Sequence, residues 1–90
     1  MGCREVDGNG NVKIFRFRVY SGEDFDERFT TDYAQGWDWA RSYKENRECY
    51  LDDDEVRIDW NYCWLPESQF DEFVNMEYDY ERDDIFEALA

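Results

Sequence analysis

Residues 56–64, VRIDWNYCW, alternate apolar and polar side chains over nine positions. Successive side chains of a strand point to opposite faces, so this period of two predicts a half-buried β-strand. The apolar members share the face that we expect to be buried, and they are Val56, Ile58, Trp60, Tyr62 and Trp64. We expect this strand to lie at the centre of a sheet.

The charge around this strand is uneven. The whole chain has 24 acidic and 10 basic residues, which gives a formal charge of −14. Residues 1–47 carry nine acidic and eight basic side chains, whereas residues 48–90 carry fifteen acidic and two basic ones. The electric field of this negative charge repels nucleic acid and anionic membranes and attracts basic proteins. The charge therefore predicts a basic protein partner and argues against direct binding of nucleic acid.

The length and the aromatic content predict one acidic α+β domain covering residues 1–90. Ninety residues bury one small core, and eighteen aromatic side chains supply apolar area to build it. No apolar run approaches the roughly 18 residues that span a bilayer, and the N-terminus lacks the features of a signal peptide. Three cysteines without metal-binding spacing then indicate a cytoplasmic protein with reduced thiols. A disulfide between Cys49 and Cys63 remains an alternative that paired strands would allow.

The order of the strand patterns predicts an antiparallel sheet. Residues 3–6 and 12–20 flank a turn-forming DGNG sequence and predict one hairpin, and residues 48–51 and 56–64 predict another. Residues 21–29 are expected to form an acidic loop or a short helical turn. We thus expect about four strands, in two hairpins, packed against one main helix and one or two shorter C-terminal helices.

The helices are predicted from residues that cap helix ends and from residues that interrupt helices. The main helix is expected to begin near Thr30 or Thr31, either of which can cap it, and to end near residue 46. Gly36 inside this helix costs roughly 1 kcal/mol relative to Ala, which predicts close packing beneath a strand. A second helix is expected from Pro66 to about Met76.

The tail from residue 77 has two interpretations. Acidic residues at every second position from 77 to 83 alternate with Tyr78 and Tyr80 in the manner of a strand. Asp83 or Asp84, in contrast, is a suitable cap for a last helical turn that contains Phe86. We favour an extended segment followed by a short helix.

The residues of common active sites are missing from this chain. It contains no histidine, and none of its cysteines has an evident activating neighbour. Because nucleophile and base pairs are therefore absent, we predict no catalytic residue, and we predict no cofactor and no metal. Residues 7–11 match only the opening of a calcium loop, because Val12 stands where such a loop needs glycine. The acidic run at 52–55 is interpreted as a solvated turn in preference to a cation site.

The arrangement of carboxylates is the main functional feature. Acids two apart on a strand lie about 6.6 Å apart, and acids three or four apart on a helix lie about 5–6 Å apart. Both spacings give rows of anions, like those that nucleic acid presents to the Lys and Arg of its binding proteins. We therefore predict a partner-binding surface that mimics nucleic acid. Its candidate residues are Asp24, Asp26, Glu27, Asp52, Asp53, Asp54, Glu55, Glu77, Asp79, Tyr80, Glu81, Asp83, Asp84 and Glu87.

In length, acidity and segregated charge, the chain resembles the small mimic proteins with which phages block host defence, including anti-CRISPR and anti-restriction inhibitors. The residues that carry the resemblance are Asp52, Asp53, Asp54, Glu55, Glu77, Asp79, Glu81, Asp83 and Asp84. The resemblance covers size and charge layout. It implies a non-enzymatic inhibitor in the cytoplasm of a bacterial host, with a CRISPR effector or a restriction-type enzyme as its partner.

Two other hypotheses remain open. An acidic adaptor could bind a basic partner without displacing nucleic acid, and exposed aromatic residues such as Trp39 or Tyr80 would then dominate binding. Alternatively, the acidity is an adaptation to high salt, which two Lys against eight Arg favour and the nearly balanced N-terminal half opposes. The sequence leaves the oligomeric state open between a monomer and a dimer.

Overall fold

The sheet is built around its first strand. A computed structural model describes residues 6–48 and 55–90 of the chain. Strand β1 (Asn11–Ser21) pairs in antiparallel register with β2 (Asp24–Thr30) on one side and with β3 (Val56–Pro66) on the other. In these parts of the chain the sheet has three strands, in the order β2-β1-β3.

Helices cover both faces of this sheet. The chain forms α1 (Tyr33–Glu48) after β2, and a 3₁₀ turn (Glu67–Gln69), α2 (Phe70–Val74) and α3 (Asp79–Leu89) after β3. The expected α+β class is confirmed, with one longer helix and two shorter C-terminal ones among the described residues.

Two small cores follow from the alternation of β1. Phe17 and Val19 pack with Ala40 of α1 on one face of the sheet. Val12 and Ile14 point to the other face, where they pack with side chains of α2 and α3. The sheet is therefore the middle of three layers, and it separates α1 from the C-terminal helices.

The predicted strand order was wrong in two respects. The strand over residues 56–64 exists, but among the described strands it lies at the edge, because β1 is the one that pairs on both sides. Residues 21–29 do not form a loop: Gly22, with φ of 65°, makes the turn, and β2 follows from Asp24. In the described residues, the pairings are the β1–β2 hairpin and the long β1–β3 pairing.

The two strands that were predicted to complete four are only partly described. Of residues 3–6, only Val6 is described, and it makes an isolated bridge with Val12. Of residues 48–51, Glu48 is the last residue of α1, and residues 49–51 lie outside the described ranges. About four strands is therefore corrected to three for the described chain.

The buried side chains of β3 lie on opposite faces of the sheet at the two ends of the strand. Val56, at its start, is 3% exposed beneath α1, while Cys63 and Leu65, which point to the opposite face, are at most 2% exposed beneath α2 and α3. Trp60 and Tyr62 are 39% and 42% exposed. The expectation of one fully buried aromatic face was wrong, because each helical layer covers a different end of the strand.

The main helix is capped one or two residues later than predicted. The backbone N–H of Gln35 donates to Asp32 Oδ1 at 3.2 Å, so Asp32 is the cap in place of Thr30 or Thr31. The prediction for Gly36 is confirmed, since a Cβ at this position would lie 2.1 Å from Cε1 of the Phe17 ring. None of the helices in the described ranges is both long enough and apolar enough to cross a membrane.

The C-terminal helices also differ from the prediction. Pro66 is the last residue of β3, and the helical turn begins after it. The tail is not extended: α3 begins at Asp79 and continues to Leu89 because Phe86 is fully buried against the sheet. The alternation of acids and tyrosines was a misleading signal, since tertiary packing of one apolar side chain favours the helix.

Candidate functional site

The two helical layers carry very different charge. Residues 67–90 contain nine acidic side chains and one basic side chain, a formal charge of −8. Residues 33–48, which form α1, contain three of each and are neutral. The three-layer fold therefore places a segment with a net charge of −8 and a neutral helix on opposite sides of the sheet.

The exposed carboxylates of the acidic layer define the candidate site. We call this set the acidic face, and it consists of Glu67, Asp71, Glu72, Glu77, Asp79, Glu81, Asp84 and Glu87. On α3, Glu81, Asp84 and Glu87 are spaced by three residues, which places neighbouring Cβ atoms about 5–6 Å apart. The result is a row of anions along a rigid helix.

Arg82, the basic residue of this layer, is used within it. Its guanidinium donates to the backbone carbonyls of Phe73 at 2.9 Å and Val74 at 3.1 Å, and also to that of Met76. The same group forms an ion pair with Asp79 at 2.8 Å. These contacts hold the end of α2 against α3, and they leave the acidic face without a projecting cation.

An ion-pair cluster fastens α3 to the sheet. Arg16, which is 8% exposed, donates to Asp83 at 3.1 Å and to Glu87 at 2.8 Å, and its guanidinium lies over the Phe86 ring. Arg18 of the same strand forms ion pairs with Asp83 and with Glu27 of β2, both at 3.2 Å. Asp83 thus joins two arginines, and the sheet fixes the orientation of the acidic face.

Glu27 has an unusual protonation equilibrium in this cluster. Burial, together with the hydrogen bond and the negative charge of Asp83, raises the pKa of Glu27 to about 7, although Arg18 opposes the shift. Two carboxyl groups close together in a poorly hydrated site disfavour simultaneous ionisation. Glu27 therefore titrates near neutral pH.

The structure divides the predicted partner-binding residues into groups. One group lies together on α3 and the turn before it, and consists of Glu77, Asp79, Tyr80, Glu81, Asp84 and Glu87. Two further members, Glu27 and Asp83, lie in the ion-pair cluster, with their side chains 7% and 18% exposed. The predicted surface is therefore concentrated on α3, while Glu27 and Asp83 are turned toward the sheet and the exposed Glu87 also pairs with Arg16.

The other predicted residues that the structure describes lie at the far end of the sheet. Asp24 and Glu55 are exposed on either side of Gly22, whose N–H donates to the Glu55 carbonyl at 2.9 Å. Asp26 points toward α1, where it forms an ion pair with Arg47 at 3.5 Å and accepts a hydrogen bond from Tyr43. Residues 52–54 lie outside the described ranges.

Several exposed residues were missed by the sequence analysis. Asp71 and Glu72 belong to the acidic face, and Tyr78 stacks on Tyr80 with ring centroids 5.4 Å apart and planes 17° apart. A helical interpretation of the tail would have found the row on α3, because Asp84 follows Glu81 by three residues and precedes Glu87 by three.

Within the described residues, no group of three or more His, Cys, Asp or Glu side chains is placed to hold a metal ion. Cys63 is a buried free thiol, and burial raises its pKa to about 11, although Arg16 partly opposes the shift. No protein-family model, curated protein or solved structure matches this chain. The site must therefore be interpreted from its own geometry.

Proposed function

We propose that this chain is a non-enzymatic inhibitor that presents the acidic face to a basic nucleic-acid-binding protein and thereby blocks the binding of DNA or RNA. The observation that carries the proposal is the segregation of charge, with a net charge of −8 on residues 67–90 and a net charge of zero on α1. A nucleic-acid-binding groove recognises a regular row of phosphates through Lys and Arg. The carboxylates of α3 offer a comparable row on a rigid support.

The resemblance to phage inhibitors of host defence gives the proposal its candidate targets. A CRISPR effector or a restriction-type enzyme has the basic groove that such a surface requires. Inhibition by occupancy needs no catalytic group on this chain. Binding is expected to weaken as salt rises, because the attraction acts between exposed charges.

The test is competition for the target. A purified CRISPR effector complex and a restriction endonuclease are each mixed with a labelled DNA duplex and increasing amounts of the protein, at several salt concentrations. The proposal predicts that DNA is displaced and that displacement weakens with salt. Binding that leaves DNA occupancy unchanged, or that does not respond to salt, would contradict it.

Two double variants separate the acidic face from net charge. Glu81→Gln with Asp84→Asn removes two acids from α3, and Asp38→Asn with Glu45→Gln removes two from α1, so both raise the formal charge from −14 to −12. The first variant should weaken competition by roughly tenfold, at about 0.7 kcal/mol for each exposed charge. The second should change it by less than about threefold. Equal losses would show that overall charge acts instead of this face.

A second candidate function is an adaptor that binds a basic partner without displacing nucleic acid. The stacked pair of Tyr78 and Tyr80, which are 50% and 62% exposed, favours it, since exposed tyrosines are common at the centre of interfaces. In this case Tyr80→Ala should cost more binding than Glu81→Gln with Asp84→Asn. The reverse order favours the inhibitor.

A further inference from the structure

A second surface lies on the opposite side of the sheet from the acidic face. We call it the aromatic face, and it consists of Tyr33, Trp60, Tyr62 and Trp64. Tyr33 and Trp60 pack edge to face at 5.1 Å, yet Tyr33, Trp60 and Tyr62 remain 42%, 39% and 42% exposed. Large aromatic rings that stay in water next to one another are typical of a surface that another molecule covers.

The course of α1 explains why these rings are exposed. The helix lies on the sheet where Gly36 allows the closest approach to Phe17, and its first residue is Tyr33. Among the described residues, α1 is the only helix on this side of the sheet, and it leaves the end of β3 around Tyr62 uncovered. In the described residues, the helical layer on this side is therefore incomplete.

The charge of this side determines which partner fits. The side chains of β3 on this face are all uncharged, and α1 is neutral. Lys13 Nζ lies 4.4 Å from the Tyr62 ring centroid, 5.3 Å from that of Phe15 and 5.7 Å from that of Trp64. Because this ammonium already lies over the rings, a basic partner gains little here and is attracted to the acidic face instead.

We propose that the aromatic face is the interface of a homodimer, formed with a second copy of this chain about a two-fold axis. A two-fold contact pairs a surface with itself, which suits a face that is aromatic and nearly neutral. It also turns both acidic faces outward, on opposite sides of the dimer, so that the like charges of a −14 chain stay as far apart as the fold allows. The rings of one copy pack on those of the other.

The edge of β3 indicates how the copies meet. The backbone N–H of Trp60 donates to Asp59 Oδ1 at 2.9 Å, and that of Tyr62 donates to Asn61 Oδ1 at 2.8 Å. Because these donors of an edge strand are already occupied, addition of another strand along this stretch is disfavoured. The dimer therefore forms through the ring faces and does not extend the sheet.

The test uses the protein alone, so its outcome does not depend on the proposed inhibition. Sedimentation equilibrium is measured from low to high micromolar protein at about 0.1 M and about 1 M NaCl, over which the Debye length falls from about 10 Å to about 3 Å. The mass should approach twice 11.1 kDa, and the dimer should become tighter at high salt, because screening reduces repulsion between like-charged copies. A mass that stays monomeric under all these conditions overturns the proposal.

Three variants locate the interface. Tyr62→Arg on β3 and Tyr33→Ser on α1 should each weaken the dimer at least tenfold, with far-UV circular dichroism and thermal midpoint used to select those that fold. Tyr80→Ser removes a more exposed tyrosine from α3 and should leave the dimer unchanged. Because the first two variants alter different elements, either one alone decides the result. A dimer that a folded Tyr62→Arg or Tyr33→Ser variant leaves intact, or that Tyr80→Ser disrupts, contradicts this interface.

Discussion

Gly36 of α1 lies directly on the ring of Phe17, so close that a Cβ at position 36 would be 2.1 Å from ring atom Cε1. The absence of a side chain at this position sets the distance between α1 and the sheet.

Replacing Gly36 by Ala should destabilise the protein, although Ala favours helices by about 1 kcal/mol. The added methyl group forces the Phe17 ring or the whole helix to move, and such overpacking typically costs 1–3 kcal/mol. We expect a net loss of up to about 2 kcal/mol, measured by urea denaturation. In the background of Phe17→Leu the same change should cost less, and an equal cost in both backgrounds would show that the contact is not responsible.

Asp83→Ala should destabilise the fold by about 2 kcal/mol, because it removes an ion-pair partner from Arg16 and from Arg18 in a mostly buried cluster. The adjacent exposed residue gives a matched control. Asp84→Ala should change the free energy of unfolding by less than about 0.5 kcal/mol, as expected for an exposed surface position. Similar costs for the two variants would indicate that the cluster does not hold α3 in place.

The raised pKa of Glu27 should make stability depend on pH. Its carboxyl group is protonated more readily in the folded chain, with a pKa of about 7, than at its ordinary value of 4.5. The folded state then binds the additional proton, so this contribution is fully present below about pH 4.5 and is lost as the pH rises through about 7. Glu27→Gln imitates the protonated form.

The measurement is the difference in unfolding free energy between the wild type and Glu27→Gln across this range. Relative to the variant, the wild type should lose stability as the pH rises from about 4.5 to above 7. The titration of acids that do not contact Glu27 is common to both proteins and cancels from the difference. A constant difference would mean that Glu27 is ionised throughout.

The thiol of Cys63 should be unreactive in the folded protein. It is 2% exposed, and burial raises its pKa to about 11, so little thiolate forms at pH 8. In a chain carrying Cys3→Ser and Cys49→Ser, iodoacetamide should label Cys63 only after denaturant is added. Labelling of the folded chain at the rate of a free cysteine would show that β3 opens at this position.

Some of this structure could be predicted from local sequence. The alternation over residues 56–64 correctly predicted a strand, and Gly36 correctly predicted a close contact. Both predictions rest on patterns that can be recognised within a short segment: a period of two, and a glycine inside a helical sequence. The prediction of an extended segment after residue 77 was wrong because it also relied on a local pattern alone. The alternating acids and tyrosines are a local pattern, whereas the helical state of α3 depends on burying Phe86 against a distant part of the chain.

The candidate site, too, could be predicted from the sequence only in part. The excess of acids after residue 47 was evident from composition, but the separation of buried from exposed acids was not. Asp83 and Asp84 are neighbours in sequence, and only the pairing of Arg16 and Arg18 with Asp83 distinguishes them. Such pairing joins residues far apart in sequence, which no local pattern reports.

The sequence by itself determined that strands, aromatic side chains and a helix would form an α+β fold, and that its charge of −14 would be concentrated toward the C-terminus. Only the tertiary structure decided that β1 is central, that the acids of residues 67–90 lie across the sheet from α1, and that Trp60 and Tyr62 are exposed. The physical reason is that residue order fixes which side of a strand a side chain occupies. Whether that side is buried depends on where each helix packs.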